Sequence, residues 1–562
     1  MATPLAAGNH RQPTAGAMGL LVVGLAGLFS SLLIYSGTVI SFLRFPLFDL
    51  AFGPAGYMAL FAETTLLAST VLGAAIAMAS LRKRRPLPFM VLGALAAVAY
   101  LCCSLGFGFA CYFQVTIPEV YPLLGTAAAV ADCGMVLVWG RVCARRLTMR
   151  PALVVVGLAS VLSAAFCFLY SWLPLEGMLA LFFVGSTLAA VIPLAVHDSR
   201  GGVEGDEGSA ASASVAGRVA AVPADAADEA GEAGEADAPD ARSRIASLFE
   251  VVGTPSLGLV SFAFVMAVMR TSFNESQSLY LAALALSGTG IVAYALLKRG
   301  RFLLPGGLQQ TFLPVVALVV LAAANITATV GQGVAVSDWL TYGLYSLAAV
   351  LTLATLCAVA HAGEFSPDLV FAVAICAFCG ASFIGQQVGG ALPNDMVSVV
   401  VTITTTLYAF ALVLVSHFWR KSAAPLAAEG GESDGGGRSV SVASAGEVPG
   451  AVEVGSPVAA VGAEGASGVS AVVAAGDTSS SDTLAARCAR LAEAHSLTAR
   501  EREILEYLAE GHNGSYIASV LFISPNTART HIHNIYRKLG VADRQGLLDA
   551  IEQGGVGKPG WE

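Results

Sequence analysis

The chain has 562 residues, of which 56% are hydrophobic and only 12% charged, where an average soluble domain carries about 25% charged residues. That balance excludes a soluble globular enzyme. The formal net charge of −9 excludes a generally basic nucleic-acid binder, so any contact with DNA must come from a local patch. Nine of the ten cysteines lie in or beside apolar blocks, which implies no disulfide framework.

In chain order, twelve segments reach the roughly 20 apolar residues that a membrane span needs: 18–43, 55–81, 88–113, 119–140, 151–172, 174–197, 253–270, 276–297, 310–330, 338–361, 367–388 and 395–418. The first is too long, and its flank too weakly basic, for a cleaved signal peptide, so it reads as an uncleaved helix. With the N-terminus inside, the cytoplasmic loops up to Lys421 hold eighteen Lys and Arg residues, against Arg44 and Arg270 outside. The expectation is a multi-pass protein of the cell (inner, cytoplasmic) membrane with both termini cytoplasmic.

The spans divide six and six, with halves at 1–197 and 250–421. Between them, 198–249 is rich in Ala, Gly, Asp and Glu and reads as a disordered acidic cytoplasmic loop. This layout resembles the major facilitator transporters in topology. Their loop after the second helix carries a glycine and an aspartate before its basic cluster. Here the loop reads Ala79-Ser80-Leu81-Arg82-Lys83-Arg84-Arg85-Pro86, without either. Residues 422–483, dominated by Gly, Ala, Ser and Val, read as a flexible acidic linker.

Residues 484–562 change to ordinary soluble composition. Thr498 with Glu501 forms a capping box, Ile504, Leu505 and Leu508 make an apolar stripe, and Gly511 ends the helix. A short helix follows near Ser515–Leu521. After the turn at Phe522-Ile523, Ser524-Pro525 caps a third helix over Pro525–Leu539. Two helices joined by a tight turn are the helix-turn-helix arrangement, whose second helix enters the major groove. Ala528, Ile532, Ile535 and Leu539 form its core stripe, which leaves Arg529, Thr530 and His533 on the opposite side, where a groove would be. Ser524 and Thr527, at the helix start, suit phosphate, and Arg537, Lys538 and Arg544 supply further positive charge. Six basic and six acidic residues fall within 497–551, so the domain is neutral but polarised.

The residues Leu497-Thr498, Arg500-Glu501, Glu503-Ile504-Leu505, Gly511, Ile517-Ala518, Ile523-Ser524, Thr527, His531-Ile532, Asn534-Ile535-Tyr536, Lys538-Leu539-Gly540-Val541 and Arg544 resemble the LuxR-type DNA-binding domain of bacterial regulators. The resemblance covers about 55 residues. It implies a four-helix module with base reading by Arg529, Thr530 and His533, and a homodimer through a fourth helix near Asp543–Glu552. The expected fold is therefore all-α: a twelve-helix transmembrane bundle followed by a small soluble four-helix LuxR-type helix-turn-helix domain.

Within the spans, Glu63 and Asp132 are the clearest intramembrane acids and the candidates for ligand sensing, set against a role as protonated packing residues. Gln386-Gln387, Asn325, Gln309-Gln310 and Asn274-Glu275 read as polar helix ends more readily than as a site, and Cys376-x-x-Cys379 as small packing residues. No nucleophile-base pair, phosphate loop or metal cluster is seen, so no enzyme, cofactor or metal site is expected. The sequence reads as a one-component transcriptional regulator whose membrane block senses a small molecule or membrane condition. Its expected partners are promoter double-stranded DNA, the lipid bilayer, an unknown small-molecule ligand and a second copy, with RNA polymerase a further candidate. The alternative is a twelve-span transporter with a regulatory DNA-binding tail, which the missing loop motif disfavours.

Overall fold

The computed structural model describes residues 15–35, 57–82, 87–113, 115–198, 241–272, 277–297, 316–317, 319, 334–428, 478–542 and 544–552. Sixteen helices and no strand occur among them. In lipid the backbone must satisfy its own polar groups, and a helix does so within one segment. The apolar blocks form α1 (Ala15–Tyr35), α2 (Tyr57–Leu81), α3 (Phe89–Tyr112), α4 (Val120–Arg146), α5 (Met149–Tyr170), α6 (Leu175–Asp198), α7 (Ala241–Ser272), α8 (Gln277–Leu297), α9 (Val334–Ala362), α10 (Pro367–Ala391) and α11 (Asn394–Ala428). Of these, nine among the described residues are long and apolar enough to cross a membrane: α1 to α6 and α8 to α10. Helices α7 and α11 carry the shorter apolar stretches Ser256–Met269 and Val399–Leu414. The ninth predicted span, 310–330, lies outside the described residues apart from 316, 317 and 319. So do most of the acidic loop (199–240) and of the linker (429–477).

One compact unit extends through Phe418, and a second begins at Trp419. In the membrane unit the two halves meet along α2 with α10 and α5 with α8, while α4 touches both α9 and α10. Small residues permit the close approaches. A Cβ on Gly288 of α8 would lie 2.6 Å from the Gly157 carbonyl oxygen of α5, and one on Gly157 would lie 3.0 Å from that of Gly288. Neither backbone leaves room for a methyl group, as expected where helix association rests on packing rather than on expulsion of water.

At the end of the bundle that carries Arg141, Arg146 and Arg150, side chains bridge the halves. Arg141 donates to both carboxylate oxygens of Asp368, at 2.7 and 2.6 Å, and also to the Leu87 carbonyl. Arg150 donates to the Ala295 carbonyl at 3.0 Å, and His361 Nδ1 lies 2.7 Å from the Ala144 carbonyl.

The C-terminal unit comprises α12 (Thr478–Ala494), α13 (Ala499–Ala509), α14 (Gly514–Leu521), α15 (Pro525–Leu539) and α16 (Arg544–Glu552). Its core gathers Cys488 and Leu491 of α12, Ile504, Leu505 and Leu508 of α13, Ile517 and Ala518 of α14, Ala528 and Ile535 of α15, and Leu547 and Ile551 of α16. Four of these helices match the expected module. The fifth, α12, precedes it and packs on α13 and α16.

Candidate nucleic-acid interface and membrane cavity

The recognition helix α15 is positioned from both ends of the domain. Thr498 Oγ1 accepts the Glu501 amide at 3.2 Å and the Glu501 carboxylate accepts the Thr498 amide at 2.8 Å, which completes the expected capping box. The same Glu501 oxygen receives the Lys538 ammonium at 2.6 Å. Lys538 Nζ also reaches the Ser496 carbonyl at 3.4 Å, and His495 Nδ1 lies 3.0 Å from the Lys538 carbonyl. Burial alone would raise the Glu501 carboxyl, but the Lys538 ammonium and the Thr498 amide and hydroxyl together hold it below its ordinary value of 4.5. Burial also pushes the Cys488 thiol up to about 11. The cap of α13 thus doubles as the clamp on the far end of α15.

Ahead of α15, α14 starts one residue earlier than the sequence indicated. Asn513 Oδ1 accepts the Tyr516 amide at 2.9 Å, which is the N-cap contact. His512 and Tyr516 stack with ring centroids 4.0 Å apart. Gly511 sits at φ +93°, a conformation open to glycine, and ends α13 there. Phe522, in the turn between α14 and α15, has φ +54°.

On α15, Asn526, Arg529, Thr530, His533 and Arg537 are all exposed. Their spacing of three, four, seven and eleven residues from Asn526 places them on one helix face. The expected readers Arg529, Thr530 and His533 therefore share one surface, with Asn526 at its N-terminal edge, a residue that sequence reasoning passed over. Thr530 Oγ1 donates back to the Asn526 carbonyl at 3.0 Å, leaving its lone pairs for a partner. The inward stripe is narrower than expected: Ala528 and Ile535 are buried, while Ile532 and Leu539 are half-buried. Ser524 is buried and Thr527 half-buried. Lys538, expected to serve as a phosphate contact, pairs with Glu501 at 2.6 Å.

Charge is sorted along the domain. Arg500 and Arg502 of α13 pair with Glu503 and Glu506 on the same helix, at 2.7 and 3.5 Å. Arg529, Arg537 and Arg544 are exposed and stand in no ion pair among the described residues. On α16, Leu547 and Ile551 point into the domain core, which leaves Arg544, Gln545, Asp549 and Glu552 exposed.

The structure separates the two intramembrane acids. Asp132 of α4 is 6% exposed and lines a cavity of about 240 Å³ inside the membrane unit. Glu63 of α2 is absent from that lining, and its Oε1 accepts from Gln386 Nε2 of α10 at 3.5 Å. Of the redox-spaced cysteines, Cys379 lines the cavity and Cys376 does not, and both are free thiols. Asn325, Gln309-Gln310 and Asn274-Glu275 lie outside the described residues.

Residues 495–551 match the family described as bacterial regulatory proteins, luxR family. The probable transcriptional regulatory protein NarL of Mycobacterium tuberculosis is 48% identical over 58 residues, which are 10% of this chain and 27% of that protein. The HTH-type transcriptional regulator MalT of Yersinia enterocolitica is 44% identical over 57 residues, 10% of this chain and 6% of that protein. The chain thus spans about a quarter or less of the length of these relatives. Two solved structures resemble the membrane part, each over 72% of this chain and 99% of its own. The human organic anion transporter MFSD10 has a TM-score of 0.45 at 14% identity, and a bacterial homologue of the iron transporter ferroportin, in an outward-facing state, has 0.48 at 12%. The chain carries a LuxR-family helix-turn-helix domain at its C-terminal end, joined to a multi-pass bundle of apolar helices.

Proposed function

We propose that this protein is a membrane-embedded one-component transcriptional regulator, in which the helical bundle senses a small molecule and the C-terminal domain binds promoter DNA. The observation that carries it is the single exposed face of α15, where Asn526, Arg529, Thr530, His533 and Arg537 line up on a helix clamped at its far end by Glu501. Arg529 is the residue best suited to guanine in the major groove, and a good bidentate contact discriminates by about 1–3 kcal/mol. Arg537 lies two turns further on and, with Arg544, suits phosphate. The exposed face of α16 is polar, so dimers form weakly through it and are completed on inverted half-sites. The Arg-rich end of the bundle faces the cytoplasm, where both termini and the DNA-binding domain lie. Glu63 and Asp132 belong to the sensing block, with Asp132 at the ligand.

The test is selection from a random DNA library with the 478–562 fragment, at protein concentrations high enough to overcome weak dimerisation. A defined inverted repeat is expected, and Arg529→Ala should relax preference at one position per half-site. Binding by the folded fragment without sequence preference would sink the reading. In the full chain, Asp132→Asn should change the inducer response at unchanged protein level.

A further inference from the structure

The cavity in the membrane unit draws its walls from both halves of the bundle, with α1, α2, α4 and α5 on one side and α7 to α10 on the other. Its volume of about 240 Å³ exceeds the roughly 150 Å³ of an engineered apolar cavity that admits benzene, so one or two fused rings fit. The lining is overwhelmingly hydrocarbon and aromatic, with Phe29, Trp139, Phe262, Phe371 and Phe378 among its residues. Asp132 is its sole carboxyl, and no Lys, Arg or His lines it among the described residues. Asp132 Oδ1 is fully buried and has no hydrogen-bond partner among the described residues. Ser163 Oγ of α5, in the same lining, is in the same condition. Two residues of the lining, from different helices, therefore each hold a buried polar atom without a partner.

The chemistry narrows the occupant. An anion would meet a carboxyl and no cation. A sugar or other polyol would leave hydroxyls unpaired against hydrocarbon, each giving up its hydrogen bonds to water without replacement. A hard metal ion needs six or more oxygens and anionic ligands to offset its dehydration, and Asp132 is the one carboxylate in this lining. No group of three or more metal-binding side chains occurs among the described residues. An ammonium on a ring system answers both features: it offers a charge-assisted bond to the carboxylate, and aromatic faces attract its charge.

We infer that this cavity binds an apolar organic cation of one or two rings, its protonated amine on Asp132 and a second polar contact at Ser163. The inference rests on the sensor reading above and names the class of ligand sensed.

Equilibrium dialysis of the full chain in lipid nanodiscs, with empty nanodiscs subtracting partition into lipid, tests it. The probes are benzylamine and 2-naphthylmethylamine, their matched alcohols, and 2-naphthoate. At least one amine should bind saturably at one equivalent, about tenfold or more tighter than its alcohol, and naphthoate should not bind. Asp132→Asn should remove that preference and Asp132→Glu, which keeps the charge, should retain it. Alcohols binding as tightly as amines, unchanged amine affinity in Asp132→Asn, or no saturable amine binding by folded chain would each overturn the inference. The sensor reading has a separate readout, promoter occupancy. Amines that bind without altering occupancy would sink the sensor and spare the cavity's ligand class. Occupancy that responds to an unrelated compound equally in Asp132→Asn would do the reverse.

Discussion

At the residue scale, Glu501 joins two tasks that the sequence presents separately. Its position three residues after Thr498 marks a capping box in any reading, whereas Lys538 lies too far along the chain for spacing to reveal the ion pair. That is why Lys538 reads in sequence as one more basic residue on a DNA-binding helix. Lys538→Ala in the 478–562 fragment should lower unfolding free energy by about 1–2 kcal/mol, because it strands a carboxylate whose side chain is 5% exposed. It should leave the salt dependence of DNA binding nearly unchanged, while Arg537→Ala flattens the slope of log affinity against log salt by about one unit. A comparable loss of slope in Lys538→Ala would return that lysine to the phosphate contacts.

The pH dependence follows from the same carboxyl. Its folded value is depressed, so its stabilising contribution is fully present above the ordinary Glu value of 4.5 and fades as pH falls through the lower folded value. Thermal melts of the wild-type fragment should therefore lose stability on acidification below about pH 4.5, and a Glu501→Gln fragment should lose less over that window. Ser496 offers a backbone test. Its φ of +50° is costly for a β-branched side chain, so Ser496→Val should destabilise the fragment by about 1–2 kcal/mol in denaturant titration.

At the scale of elements, what could be read depended on whether the signal was local. The cap at Thr498, the stop at Gly511 and the apolar blocks are local signals, and among the described residues helices stand there. The start of α12 is masked in sequence by the Gly- and Ser-rich chain that precedes it, although Leu484, Cys488 and Leu491 recur at helical spacing. The predicted stripe of α15 was too wide because a 3.6-residue period gives the direction of a face and not the depth of the neighbour that covers it. Ile532 and Leu539 stay half-buried for that reason. Asp132 and Glu63 were indistinguishable in sequence, since a lone acid in an apolar run does not say which side of its helix meets the cavity.

Helix seams supply a further prediction. A methyl group on Gly288 would lie 2.6 Å from the Gly157 carbonyl oxygen, so Gly288→Ala must separate α5 from α8. Thermal unfolding of the purified chain should fall by an amount equivalent to about 1–3 kcal/mol. Gly290→Ala, two residues on and facing open space, should be nearly silent. Equal effects of the two substitutions would show the seam to be looser than described.

At the scale of the whole molecule, the Arg141–Asp368 ion pair bridges the halves of the membrane unit across 227 positions of sequence. No reading of spacing could have matched them, though both residues sit at helix ends where polar groups are expected. Asp368→Asn removes the charge that holds the Arg141 guanidinium, so the end of the bundle carrying Arg141 should open more often. Cys143, buried two residues from Arg141 and lining the cavity, reports on that opening. Its labelling by a small maleimide should speed up severalfold in Asp368→Asn, and an unchanged rate would mean that packing alone keeps this end closed.

The cavity's shared walls have a mechanical consequence. Helices from both halves bound one space, so its width is a measure of how far apart those halves stand. Packed interiors resist both voids and overfilling. An occupant is then a gauge: a molecule too small lets the walls close in, one too large props them apart, and only a narrow band of sizes holds a given separation. A protein built this way discriminates among chemically similar amines by girth as well as by charge, and two ligands of equal affinity can leave the bundle in different shapes.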